Sequence, residues 1–194
     1  MKKLLSLVLA AMLCLCALTP AMAETTAAVE TFPYTLSDYK VYFDLLATNL
    51  FGVEPQWAAD AEAKIAVATI PGIGEVMFSV DENEYMLEIL TMVEMDINDD
   101  EAVQTKSAYF GNVVALAALS SKAAEDLNGF TDEKIDAITN QLIAMIQGMV
   151  GKIAEAMTGE SVVVQEEVDG NLCTFIMQID MTTMTMSFGF QMKP

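Results

Sequence analysis

The sequence predicts an α+β protein: an antiparallel sheet of about six strands, with two long central helices and a shorter N-terminal helix packed on its apolar face. Three observations predict this class. Residues 99–157 read as two helical segments broken once, at Asn128-Gly129. The stretches on either side of this pair are short apolar runs bounded by turn residues, which is typical of strands. No linker or low-complexity segment divides the chain, so we expect one domain over residues 24–194, with residues 24–33 as a mobile leader.

The central helices are predicted from apolar spacing and capping residues. The first segment is apolar on nearly all sides from Ala108 to Leu119, which indicates a helix covered on several sides. Thr131 is the expected N-cap of the second segment and Gly159 its end. That second segment carries one apolar stripe, formed by Ile135, Ile138, Leu142, Met145, Ile146, Met149, Ile153 and Met157.

The N-terminal helix is expected to begin at an N-cap, Ser37, and to stop at Gly52. Its predicted apolar face is formed by Val41, Tyr42, Leu45, Leu46, Leu50 and Phe51. Residues 53–60 are predicted to be a connection. They contain the only tryptophan, Trp57, which we interpret as a packing residue, with a carbohydrate platform as the alternative.

Six strands are predicted, at residues 64–70, 75–80, 84–95, 161–168, 172–179 and 183–192. The third is apolar on both faces, which favours a central position. One of its faces is expected to hold Leu87, Ile89, Thr91 and Val93, and the other Met86, Glu88, Leu90 and Met92. The last strand alternates most cleanly. Its inward residues, expected to lie against the helical stripe, are Met184, Met186, Phe188, Phe190 and Met192.

A short pattern recurs at two predicted hairpins. Residues 80–83 read V-D-E-N and residues 168–171 read V-D-G-N. The pattern indicates either a duplicated unit or turn chemistry, since Asp and Asn recur at turns for local hydrogen-bonding reasons. We favour turn chemistry.

The N-terminus reads as a secretory signal peptide over residues 1–23. Lys2 and Lys3 form the positive region, residues 4–18 form the apolar region, and Ala21-Met22-Ala23 matches a cleavage site. We therefore predict a secreted, periplasmic or cell-envelope protein. A lipoprotein signal at Cys14 or Cys16 is the less favoured alternative, because small residues are missing just before either cysteine.

Charge and cysteine content narrow the possible functions. Cleavage would remove 23 of the 194 residues, two of the nine basic residues and none of the 28 acidic ones, leaving 171 residues with a net charge of −21. Such a chain repels phosphate backbones, so no nucleic-acid partner is expected. Cys173 would be the only remaining cysteine and is interpreted as a small buried hydrophobe.

Most catalytic constellations are missing from the sequence. The chain contains no histidine, which excludes Ser-His-Asp and Cys-His mechanisms and histidine-ligated metal sites. Ser37 to Lys40 matches S-x-x-K, but the companion motifs of that enzyme class are absent and Ser37 is expected to cap a helix. A glycosidase-like carboxylate pair stays open, and Glu88 and Glu94 lie on the apolar central strand.

A calcium site is the other open possibility. Asp96, Asn98 and Asp100 match the start of an EF-hand loop, but Glu101 and Ser107 stand where glycine and a bidentate glutamate are required. A helix-start charge cluster is favoured over a weak cation site there.

Methionine is unusually abundant, with 15 residues in the whole chain. Their positions on the helical stripe and the last strand favour core filling over a copper or haem role, and no cofactor or metal ligand is assigned.

The favoured function is an exported, non-catalytic binding or interaction protein. Its partner would be an unidentified protein or a small apolar ligand held between helices and sheet. A small hydrolase or a calcium-stabilised structural domain is the alternative. The sequence leaves the oligomeric state open.

Overall fold

The computed structural model describes residues 30–194. The predicted signal peptide and most of the predicted leader lie outside the described residues. The last residues of the leader are held in place: Phe32 is buried, and its backbone N–H donates to the carbonyl of Met86 over 2.8 Å.

The chain folds as an α+β protein, as predicted. The helices are α1 (Leu36–Phe51), α2 (Asp100–Glu125), α3 (Asp132–Val150) and the short α4 (Ile153–Ala156), with a 3-10 turn at Leu127–Gly129. The strands are β1 (Gln56–Asp60), β2 (Ile65–Ile70), β3 (Gly74–Val80), β4 (Met86–Asp96), β5 (Val162–Val168), β6 (Asn171–Asp180) and β7 (Thr185–Lys193). Together they form one antiparallel sheet of seven strands in the order β1-β2-β3-β4-β7-β6-β5.

The additional strand is β1, which lies where a connection was predicted. It pairs along its whole length with β2, from Gln56 opposite Thr69 to Asp60 opposite Ile65. Four of its five residues are exposed, so its sequence lacks the apolar alternation that marks a strand.

The two hairpins with the V-D-x-N pattern differ in place and in chemistry. Residues 80–83 join strands near the middle of the sheet, whereas residues 168–171 join an edge strand to its neighbour. Asp81 accepts hydrogen bonds from the backbone N–H groups of Asn83 and Tyr85 inside its own turn. Asp169 instead pairs with lysines of α2 and α3. The shared aspartate therefore stabilises its own turn at the first hairpin and connects the turn to two helices at the second.

The prediction for α1 was wrong in its cap and in its buried face. Thr35, not Ser37, is the N-cap, because the Thr35 side chain accepts from the backbone of Asp38 while the Asp38 carboxylate accepts from the backbone of Thr35. Gly52 ends the helix in the left-handed region, as predicted. The buried residues are Tyr39, Phe43 and Ala47, whereas the expected Val41, Leu45 and Leu50 are exposed. The ring of Phe43 packs against Phe78 of β3 and Trp57 of β1, with centroid distances of 5.9 and 5.6 Å.

The long helices begin at the predicted residues, but the second is shorter than expected. Asp99 caps α2 and Thr131 caps α3, each by accepting a backbone N–H with its side chain. α3 stops at Gly151 rather than at Gly159, and α4 follows as a separate turn. Because the helix is interrupted there, Met157 does not join the buried stripe and is half exposed.

The final strand lies against the helices, as predicted. Met186, Phe188, Phe190 and Met192 are buried, and the ring of Phe188 stacks on Phe110 of α2 at a centroid distance of 5.7 Å. Met184 does not belong to this face. It lies in the preceding turn with a φ of 55°, where the chain reverses direction before β7 begins.

β4 occupies the centre of the sheet, as predicted, but its two faces differ from the expected alternation at one end. Val80 pairs with Met86 while Ser79 pairs with Glu88, so Leu87 is an extra residue in a bulge. The bulge turns Met86 toward the helices, where it is fully buried. Beyond the bulge, Ile89, Val93 and the other residues of β4 lie on the faces that were predicted for them.

Candidate binding surface

All four helices cover one face of the sheet and leave the other face uncovered in the described part of the chain. α2 packs on β3, β4 and β7, and α3 packs on β5 and β6. The residues beneath them belong to one hydrophobic core, which includes Phe78, Ile89 and Phe175. The alternate residues of the same strands point away from that core. We call this opposite side the open face.

An apolar band crosses the open face diagonally. On β3 and β4, Met77 lies directly opposite Leu90, and both are more than nine-tenths buried although neither belongs to the core beneath the helices. Met92, two residues along from Leu90, is 43% exposed. In full, the band consists of Val67, Met77, Leu90, Met92, Gly189, Ile176 and Val163, which are neighbours through the pairings of adjacent strands.

Gly189 makes a notch in the middle of this band. It pairs with Met92 on one side and with Ile176 on the other. A Cβ added at Gly189 would meet only the Cβ of Ile176, at 3.9 Å, although the glycine itself is buried between its neighbours. At the end of the band, Val163 is 48% exposed.

Acidic side chains border the band. Glu88 accepts a hydrogen bond from the side-chain amide of Gln191, and the Lys193 ammonium lies 3.7 Å from the same carboxylate. Glu75 accepts from the hydroxyl of Thr69 over 3.1 Å. Glu94 lies two residues beyond Met92 on the same strand and is exposed. The open face therefore combines an apolar centre with a negatively charged border.

A second concave region lies between α2 and the end of the sheet. This groove has a volume of about 500 Å³. Ile73, Val93, Ala102 and Tyr109 give it apolar walls, and Asp99 and other charged residues lie at its rim. The interior between helices and sheet is otherwise filled by the hydrophobic core.

The two glutamates considered for a hydrolase do not face each other. Glu88 and Glu94 point to the same open face but are six residues apart on β4, which separates them by about 20 Å along the strand. Paired carboxyls of glycosidases are about 5 to 9.5 Å apart. This pair therefore cannot flank a single glycosidic bond.

The predicted cation residues form a turn and a helix start. Asp96 accepts hydrogen bonds from both the backbone and the side-chain amide of Asn98, over 2.8 and 3.0 Å. Asp99 caps α2 by accepting from the backbone of Ala102. Asp100 is the first residue of that helix. Across residues 30–194, no group of three or more cysteine or carboxylate side chains is placed so that it could hold a metal ion.

The other residues singled out by the sequence have packing roles. Trp57 stacks on Phe78, donates its indole N–H to Asp44 over 2.7 Å, and lies beneath the Lys40 ammonium. Lys40 is thus held by Asp44 and Trp57 rather than by Ser37. Cys173 is fully buried, and burial raises the pKa of its thiol to about 12.

A buried hydroxyl cluster between α1 and α2 was not predicted. The hydroxyls of Tyr34 and Ser121 are hydrogen-bonded at 2.5 Å, and the hydroxyl of Tyr39 donates to the carbonyl of Ala117 over 3.2 Å. Burial raises the pKa of both tyrosines well above the ordinary value. Single tyrosines and serines carry no spacing signal in the sequence, so only the packing of the helices reveals this cluster.

No helix within residues 30–194 is long and apolar enough to cross a membrane. Comparison with known proteins found no match: no protein-family model, no curated protein and no solved structure matches this chain.

Proposed function

We propose that this protein is an exported, non-catalytic binding protein and that the open face of its sheet is the binding surface. The apolar band is the observation that supports the proposal. Met92 and Val163 are exposed, and Val67 and Ile176 are partly exposed, so this side of the sheet leaves apolar side chains in contact with water. Apolar surface left in water on a folded protein is unfavourable and marks a candidate interaction site. Met92 and Val163, which are 43% and 48% exposed, offer contact area to a partner.

Site-specific cross-linking in the secreted or envelope fraction tests this surface. A photoreactive amino acid is placed at Met92 in one variant and at Leu45 in the control. Leu45 is a matched control because it is also an exposed apolar residue. It is 55% exposed on α1 and lies on the helical side of the protein. We expect a discrete cross-linked species from position 92 only. Equal adducts from both positions, or none from position 92, would contradict the proposal.

A small apolar ligand in the groove beside α2 is a second candidate function. The groove's volume, about 500 Å³, lies within the range of small-molecule sites, and it opens between helix and sheet. Native mass spectrometry of the protein purified from its own cells would detect a retained ligand. Ala102→Phe fills the groove and should abolish that retention, whereas Val41→Phe on the outer side of α1 should not.

A further inference from the structure

The open face carries almost only negative charge. The acidic residues at strand positions that face this way are Asp60, Glu75, Glu88, Glu94, Asp96, Glu167 and Asp180. Lys193 is the only lysine in a strand of the described chain. The potential above this face is therefore strongly negative, and the net charge of the whole chain, −19, reinforces it.

Much of this charge is not neutralised within the protein. Lys193 approaches Glu88, but Glu75, Glu94 and Glu167 have no ion pair among residues 30–194. Glu75 and Glu94 lie on one side of the apolar band, and Glu88 lies on the other. Carboxylates on both borders can accept cationic side chains from a segment that lies along the band.

We propose that the occupant of the open face is a cationic amphipathic polypeptide segment, with an apolar stripe flanked by lysine or arginine. This inference rests on the proposed binding function and adds the chemistry of the partner. The band crosses six strands, which at about 4.8 Å per strand spacing is about 24 Å. A helix rises 1.5 Å per residue, so a segment of about 16 residues would cover it.

A second copy of the protein is the less favourable occupant. Two open faces brought together would place the unneutralised glutamates of one copy against those of the other, and like charges at an interface disfavour association. Self-association is therefore an outcome that the experiment must be able to detect.

The experiment uses three synthetic 16-residue helical peptides with the same leucine stripe and with flanking lysine, glutamine or glutamate. The mature protein carries ¹³C-labelled methionine methyl groups. Met77 and Met92 report on the open face, while Met145 and Met149 report on the core. We expect the lysine peptide to shift the resonances of Met77 and Met92 but not those of the core pair. The glutamate peptide should bind at least about tenfold more weakly.

Two matched triple variants separate local charge from net charge. Glu75, Glu94 and Glu167 are changed to glutamine in the first. The control changes exposed carboxylates of the helices, Glu133→Gln, Asp136→Asn and Glu155→Gln. The first variant should weaken binding of the lysine peptide about tenfold and the control about twofold or less. Raising the salt concentration should reduce this difference.

Equal binding of all three peptides at Met77 and Met92 would overturn the cationic partner while leaving the open face as a binding surface. If the two triple variants weaken binding equally, attraction to net charge alone explains the result and the inference fails. If no peptide moves these resonances, or if sedimentation shows a dimer that Met92→Glu dissociates, a cationic partner is likewise excluded.

Discussion

The carboxylate of Asp169 ties the β5–β6 hairpin to both long helices, and its removal gives the sharpest test of the packing. Its side chain forms ion pairs with Lys122 of α2, at 3.5 Å, and with Lys134 of α3. Asp169→Asn removes the charge and keeps the shape. Asparagine also tolerates the left-handed backbone found here, a φ of 52°, so the substitution adds no strain.

The magnitude follows from how exposed each partner is. Breaking a buried ion pair by removing one member costs about 3 to 5 kcal/mol. Here Lys134 is 40% exposed and can be solvated, while Lys122 retains Glu125 at 3.3 Å. We therefore expect a loss of about 2 kcal/mol in the free energy of unfolding, discounted for solvent screening. For a chain of this size that loss corresponds to about 6 °C in melting temperature.

Urea denaturation followed by Trp57 fluorescence measures this change, with Asp136→Asn on the exposed side of α3 as the control.

The stabilisation that the Asp169 carboxylate provides should also depend on pH. Burial opposes the charge on Lys122, but the carboxylates of Asp169 and Glu125 together outweigh it and raise the pKa of Lys122 above its ordinary 10.5. A raised pKa stabilises the folded state below pH 10.5, and that stabilisation is lost as pH rises through the folded-state pKa.

The difference in the free energy of unfolding between the wild-type protein and Asp169→Asn should therefore become smaller above that pH. If Asp169→Asn unfolds within about 0.5 kcal/mol of the wild type, the hairpin carboxylate does not hold the helices and the reasoning is refuted.

Four further outcomes are expected. Phe188→Ala should lower the free energy of unfolding by about 4 kcal/mol, against about 0.5 kcal/mol or less for Val41→Ala on the exposed side of α1, as measured in urea. A thiol reagent at pH 8 should modify Cys173 only as fast as the protein unfolds; rapid modification without denaturant would contradict its burial. Calcium should leave the melting temperature unchanged, because Asp96 is engaged in its own turn; a rise with calcium but not with magnesium would show a site. Met92→Gln should unfold within about 0.5 kcal/mol of the wild type while losing binding at the open face; a larger loss would make the band structural.

The strands that alternate strictly could be predicted, since the pattern itself determines which side is buried. This holds for β7 from Met186 onward, whereas in β3 Met77 is buried as well as its neighbours Val76 and Phe78. The faces of β4 were harder to predict because the bulge at Leu87 moves Met86 to the opposite face of the strand. Nothing in the sequence marks the extra residue.

The buried side of α1 could not be predicted because two apolar stripes compete on that helix. One contains Tyr39 and Phe43, and the other contains Val41 and Leu45, with the same spacing of four residues. Tertiary partners decide between them: the rings of Phe78 and Trp57 form a surface that fits the aromatic stripe. Those partners lie on strands whose order the sequence does not reveal.

Only part of the open face could be predicted from the sequence. Apolar residues on both sides of β4 predicted its central position, and the same residues, Leu90 and Met92, now form the middle of the band. The remaining members come from β2, β3, β5, β6 and β7, and they meet only because β7 returns to pair with β4. Strand order, rather than local pattern, assembles the candidate surface.

The adjacent strand shows that the fold does not require an apolar open face. β7 presents Ser187 and Gln191 on that side, next to the most buried part of the sheet, and both are partly exposed. The folded state thus tolerates polar side chains at the centre of this face, whereas Met92, which is diagonal to both on the neighbouring strand, is apolar and exposed. Because Met92 is 43% exposed, covering it with a partner would contribute about 1 kcal/mol to binding. We therefore attribute the exposed apolar side chain at position 92 to the proposed partner rather than to a requirement of the fold.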